Sequence, residues 1–159
     1  MSGINPGVNV GRSVYHSGTV GACLSGRNGH IPGVAVSQAV TGFGVEGQGW
    51  DEMLIGQKWH TAAAVASSFV GGMVEAIAAG THDDAAVGNI NVPNCELDEI
   101  DGWGHARVGV EPPRRMSSAT LTPKEGHEDA FIVKMEWGDA VELPPDTDGG
   151  MVEQGKVAV

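Results

Sequence analysis

Near the amino end of the chain, Ser2-Gly3-Ile4-Asn5 is followed by Gly7, Asn9 and then Ser17-Gly18-Thr19. These residue types suit one kind of chemistry. Asparagine carbonyls are hard, neutral oxygen ligands for a divalent metal cation such as Mg²⁺, Mn²⁺ or Ca²⁺. Serine and threonine hydroxyls, with the free amides of a first helical turn, suit phosphate oxygens. The stretch therefore reads as half of a metal-plus-phosphate site, carried on a binding loop. Each residue also has a plain structural use: Asn beside glycine and proline closes turns on its own backbone, and Ser-Gly-Thr caps helices. Other candidates are weaker. Gly42-Phe43-Gly44-Val45-Glu46-Gly47 fits G-x-G-x-x-G after a strand, but Gln48-Gly49-Trp50 continues the loop where a helix would have to begin. Asp83-Asp84 beside His82 has ligand chemistry, yet falls in a turn between a long helix and a strand. His16, His30, His105 and His127 are scattered and read as surface or packing residues. No side chain is assigned a catalytic role.

The elements that must position this stretch follow from periodicity. Ser17 caps a helix in which Val20, Cys23 and Leu24 share a face, and Asn28-Gly29-His30 ends it. Pro32 introduces Gly33-Val34-Ala35-Val36-Ser37, an apolar run suited to the centre of a parallel sheet. Residues 41–57 are glycine-rich and unpatterned. His60 to Ala79 carries Val65, Phe69, Val70, Met73, Val74 and Ile77 at helical spacing, and Asn89-Ile90-Asn91-Val92 alternates as a strand that stops at Pro93. Residues 1–93 thus read as an α/β core. Residues 94–159 are richer in proline and charge, with a half-buried antiparallel strand expected over Phe131, Val133, Met135 and Trp137. That region reads as a β-rich extension packed on the core or on a partner chain.

Composition narrows the function further. The 159 residues fit one domain, and 25 glycines suit a loop-rich α/β chain better than a helical bundle. A formal charge of −11, with pI near 4.7, argues against nucleic acid polymers and anionic membrane surfaces as partners. A small phosphorylated ligand stays compatible, because backbone amides and a cation make a positive site locally. Cys23 and Cys95 lie in no metal or redox spacing, and no signal peptide or membrane-length apolar run is evident, so the reading is a soluble, cytoplasmic chain.

The motifs also have a familiar order. S-G-x-N-x-G-x-N spans Ser2 through Asn9, [YH]-S-G-T-V-x-A-A spans His16 through Cys23, and P-x-[IV]-A-[VI]-S spans Pro32 through Ser37. Trp59 through Ala63, Asn89 through Pro93, and Asp146-Thr147-Asp148 with Gly155 follow. In these six segments, over essentially its whole length, the chain resembles the SurE family of survival-protein nucleotidases. The resemblance implies a Rossmann-like three-layer α/β fold and a metal-dependent phosphatase acting on nucleoside 5′- and 3′-monophosphates or other small phosphate esters. It implies homo-oligomers built through the C-terminal arm. It assigns Asn5 to the metal, Asn9 to the substrate's surroundings, and Ser17, Gly18 and Thr19 to the phosphate.

The departures from the family are equally specific. Its members carry, upstream of S-G-x-N, a strand leading to the metal-holding aspartates of N-D-D-G and a serine from a Q-S-G-type loop, and this chain contains neither. Lys156 stands where an aromatic residue is common, and the family usually continues into T-P beyond Val159. The expectation is an incomplete SurE-like fold with an open flank beside Val34 to Val36, and little or no phosphatase activity from the chain alone. The alternative is a non-catalytic module that keeps the phosphate cradle for nucleotide binding or interaction.

Overall fold

A computed structural model describes residues 1–41, 50–82, 85–111 and 114–159. Strand β1 (Ser2–Pro6) pairs in parallel with β2 (Gly33–Gln38), which pairs in parallel with β3 (Val87–Val92) along its whole length. Two short strands complete a five-stranded sheet of order β1-β2-β3-β7-β4. These are β4 (Trp103–Gly104) and β7 (Val157–Ala158), with β7 antiparallel to β3 and parallel to β4.

Period-two alternation sorts β2 between two helical layers. Val34 and Val36 face α3 (Trp59–Ala78), packing with Ala62, Ala66, Ile90 and Val92. Ala35 faces the other way, onto Val20 and Cys23 of α1 (Gly18–Arg27). The result is the expected α/β architecture, with a parallel-rich sheet between helices. Burying a valine such as Val36 stabilises the fold by about 1.5–3 kcal/mol. Gly33 brings β2 close to α1: a Cβ there would lie 2.7 Å from Cys23 Cβ.

Several expectations need correction. The opening stretch is a strand before it is a loop, because Ser2 and Asn5 register opposite Ala35 and Ser37 of β2. Glycine and asparagine hide that strand in the sequence, yet Gly3 is required there: its φ is 115°, and a Cβ would lie 2.2 Å from the Val36 carbonyl oxygen. The flank of Val34 to Val36 is consequently covered by β1, not open. Leu24 does not share the buried face of α1 and is 47% exposed. The unpatterned segment contains a short helix, α2 (Trp50–Leu54). No apolar run of membrane length was expected, yet helix α3 is long and apolar enough for one by length and composition, with Glu75 its sole acidic residue. In this fold Ala62 and Ala66 pack it onto the sheet, and the buried Thr61 hydroxyl donates to the Cys95 carbonyl.

After residue 94 the chain divides. β5 (Arg114–Pro123) and β6 (Phe131–Ala140) form a separate antiparallel pair. The strand expected to be half-buried is exposed at Phe131 through Glu136, because its alternating apolar residues meet no second layer among the described residues. The flanking residues return to the main sheet through β4, helix α4 (Asp148–Glu153) and β7. The Gly42-to-Gly47 motif and Asp83-Asp84 lie outside the described residues.

Candidate functional site

Topology brings the predicted residues to one edge. Because β1 and β2 are parallel and α1 connects them, the amino end of α1 must lie at the carboxyl end of β1. Asn5, at the end of β1, and Ser17, before α1, therefore share the carboxyl edge of the sheet, where ligands of open α/β folds bind. The same logic applied to β2, α3 and β3 brings Lys58 and His60 to that edge.

Asn5 is half-buried, and its Nδ2 donates to the Gly7 carbonyl at 2.6 Å. That bond fixes the side chain, and its Oδ1 accepts no hydrogen bond among the described residues. Ser17 is the N-cap of α1: its Oγ accepts from Val20 N at 3.0 Å. The hydroxyl keeps its own proton to donate, and the N–H groups of Gly18 and Thr19 have no acceptor among the described residues. Gly18 is exposed, so these donors open to solvent. Capping and anion binding use the same helix end without conflict.

Asn9 is placed differently. It is 8% exposed, and its Nδ2 donates to Ser37 Oγ at 2.7 Å. Its backbone is held as well: the N–H donates to Asn91 Oδ1 at 2.7 Å, and the carbonyl accepts from Asn89 Nδ2 at 3.0 Å and Asn91 Nδ2 at 3.3 Å. The contacts make Asn9 an anchor that ties the connection between β1 and α1 to the face of β2 and β3. The sequence places Ser37, Asn89 and Asn91 on strands but gives them no part in the site. Their signal was polar residues at alternate positions of an otherwise apolar strand, where burial requires partners.

A second polar group surrounds the carboxyl ends of β2 and β3. Gln38 is fully buried, 3.0 Å from Asn94 Oδ1 and within hydrogen-bond reach of the Lys58 backbone. Asn94 also accepts from Lys58 N at 2.9 Å and donates to Gln57 Oε1 at 2.7 Å. Glu96 pairs with Lys58 and, at 2.8 Å, with His60. Hydrogen bonds from Lys58 and then His60 hold the Glu96 carboxyl below its usual range. Both cysteine thiols are pushed up, chiefly by burial, so neither is an activated nucleophile.

The described residues do not make a metal site by themselves. Among them no three His, Cys, Asp or Glu side chains converge, and Asn5 offers one neutral oxygen. Divalent cations are held against water mainly by several oxygen ligands, carboxylates among them. A separate trough of about 660 Å³ is apolar and lined by residues including Phe69, Met73, Gly88, Trp103, His105 and Val159. None of Asn5, Asn9, Ser17, Gly18 or Thr19 borders it.

Comparison with known proteins supplies the context for this edge. Residues 1–114 match the family model described as survival protein SurE. The 5′/3′-nucleotidase SurE of Erwinia tasmaniensis is 34% identical over 160 residues, covering all of this chain and 54% of the relative. That of Serratia proteamaculans is 33% identical over 159 residues, again covering the whole chain and 54% of the relative. The chain thus spans about half the length of the curated relatives it matches. The crystal structure of the SurE protein from Aquifex aeolicus shares the fold, with a TM-score of 0.64 at 24% identity, over 98% of this chain and 55% of that one. The strand carrying Asn5, the capped helix beginning at Gly18 and the buried β2 all fall within the matched residues, and the chain belongs to the SurE family.

Proposed function

We propose that this chain supplies the phosphate-binding edge of a SurE-type nucleotidase acting on nucleoside monophosphates. The observation that carries the reading is the convergence of the β1 end and the Ser17-capped end of α1 on the carboxyl edge of the sheet. There, Gly18 and Thr19 N–H groups and the Ser17 and Thr19 hydroxyls would donate to phosphate oxygens. Donors fixed in place before the substrate arrives stabilise charge that builds on those oxygens during ester cleavage. Asn9, locked beneath, would hold the connection in register rather than touch the substrate.

The family's divalent cation, Mg²⁺, Mn²⁺ or Ca²⁺, fits here only as a guest shared with other groups. Asn5 would be one ligand, and the remaining ligands would come from beyond the described residues. The chain by itself is accordingly expected to bind phosphate without turning over esters. A second reading, a nucleotide-binding module with no chemistry, is favoured by the same shortage of converging acidic side chains among the described residues.

The test is release of inorganic phosphate from nucleoside 5′- and 3′-monophosphates with Mn²⁺ or Mg²⁺. The chain alone should release little. A polypeptide carrying an N-D-D-G strand, added in trans, should bring turnover that Asn5→Ala removes. Nucleotide binding with no turnover in that mixture would favour the module, and absence of both binding and turnover would refute either reading. The exposed apolar face of β5 and β6, with Leu121, Phe131, Val133 and Met135 all more than half exposed, supports the further reading of this arm as a self-association surface.

A further inference from the structure

Between Asn9 and Ser17 the chain passes through a short 3-10 helix, Gly11–His16, and its first residue is caught by a group far away in sequence. The Gly11 N–H donates to Asp148 Oδ2 at 2.8 Å, and the Gly109 and Gly149 N–H groups both donate to Asp148 Oδ1 at 2.9 Å. Asp148 is 6% exposed. Its own backbone is held too, with Asp148 N donating to the Arg107 carbonyl at 3.0 Å, beside the ion pair of Arg107 with Asp146. Gly11 could not be replaced without loss of this approach, since its φ is 55° and a Cβ there would lie 2.9 Å from the Glu111 carbonyl oxygen.

We propose that Asp148 is a positioning residue for the phosphate-binding edge: its carboxylate clamps Gly11 and so fixes where Ser17, Gly18 and Thr19 stand. The inference rests on the reading of that edge given above. The connection is anchored at Asn9 by the sheet and at Gly11 by Asp148, which leaves about two turns of 3-10 geometry to deliver Ser17. A buried carboxylate satisfied by backbone amides is a strong, directional restraint, because each bond is charge-assisted. An isosteric amide breaks it selectively. With one oxygen, Asn at this position would satisfy the two donors from Gly109 and Gly149 and turn its NH₂ toward the Gly11 N–H, donor against donor.

The test is amide hydrogen exchange on the full, ¹⁵N-labelled chain, parent and Asp148→Asn, with and without inorganic phosphate. The expected result is exchange at Gly11 faster by about ten- to a hundredfold, the loss of one charge-assisted bond. Exchange at Val36 and Ile90 should stay unchanged, while phosphate binding, read at the Gly18 and Thr19 amides, weakens. Unchanged protection at Gly11 would overturn the clamp. Loss of protection at Val36 and Ile90 together with Gly11 would overturn the positioning role in favour of a general one in the core. In the parent chain labelled with both ¹³C and ¹⁵N, a scalar coupling across the hydrogen bond from Gly11 N to Asp148 Cγ is expected, and its absence overturns the clamp even if the variant does not fold. A parent chain whose Gly18 and Thr19 amides ignore phosphate would refute the reading of the edge, separately from the exchange result at Gly11.

Discussion

Replacing Asn91 by leucine tests the anchor beneath the site. Asn91 is fully buried, and its side chain makes two bonds to the Asn9 backbone, accepting at 2.7 Å and donating at 3.3 Å. Leucine has nearly the same shape and neither polar atom. The Asn9 carbonyl would keep its bond from Asn89 Nδ2, so the main loss is the Asn9 N–H, buried without an acceptor. An orphaned buried donor costs about 1–3 kcal/mol, and the second, longer bond adds up to about 1 kcal/mol. The apolar gain from leucine offsets part of this, leaving a net loss of about 1–3 kcal/mol. For a chain of this size that lowers the melting temperature by roughly 2–12 °C. Urea unfolding should show the midpoint falling with the slope unchanged. Asn89→Ala is the internal control: Asn91 still donates to the same carbonyl, and Asn89 Oδ1, buried with no partner, is removed with it, so the cost should stay below about 1 kcal/mol. An Asn91→Leu variant within about 0.5 kcal/mol of the parent, or less affected than Asn89→Ala, would refute the anchor.

Three further outcomes are expected. Ser17→Ala should lose about 1 kcal/mol from the missing cap to Val20 N and weaken phosphate binding, while Ser17→Gly should cost only a few tenths in stability, both read from urea midpoints. Glu96 has its carboxyl pKa lowered by Lys58 and His60, so its contribution is present above its ordinary value of 4.5 and disappears as pH falls through the depressed value. The parent should therefore exceed Glu96→Gln in melting temperature at neutral pH and converge with it in acid, and a constant gap across pH would contradict the pairing. Phe131→Glu with Val133→Glu should reduce self-association in sedimentation velocity without lowering the melting temperature, since both side chains are exposed within the chain.

The parts of the fold legible in the sequence were those governed by local rules. The Ser17 cap, the helical spacing of Val65 through Ile77 and the apolar run at Val34 each announce an element because the residue types and periods are their own explanation. β1 was not legible, since Ser2 to Pro6 has no apolar pattern and becomes a strand only by pairing with Ala35 and Ser37. The exposure of Phe131 through Glu136 was hidden for the opposite reason: alternation promises a buried face, but only tertiary structure supplies or withholds what covers it. Asn5 and Ser17 were singled out from residue chemistry and the topology brings them to one edge, while the anchoring of Asn9 by Asn91 and of Gly11 by Asp148 joins residues more than eighty positions apart. Such long-range satisfaction of buried polar groups leaves only a faint trace in sequence, as polar residues inside apolar strands and a D-x-D near the end.

The most direct measurement is an NMR titration of the chain with inorganic phosphate. The account predicts saturable shifts of the Gly18 and Thr19 amides and of the Asn5 side chain, with the residues around Phe69 and Trp103 unmoved. Saturable shifts centred on that apolar trough, or no response at Gly18 and Thr19, would contradict it.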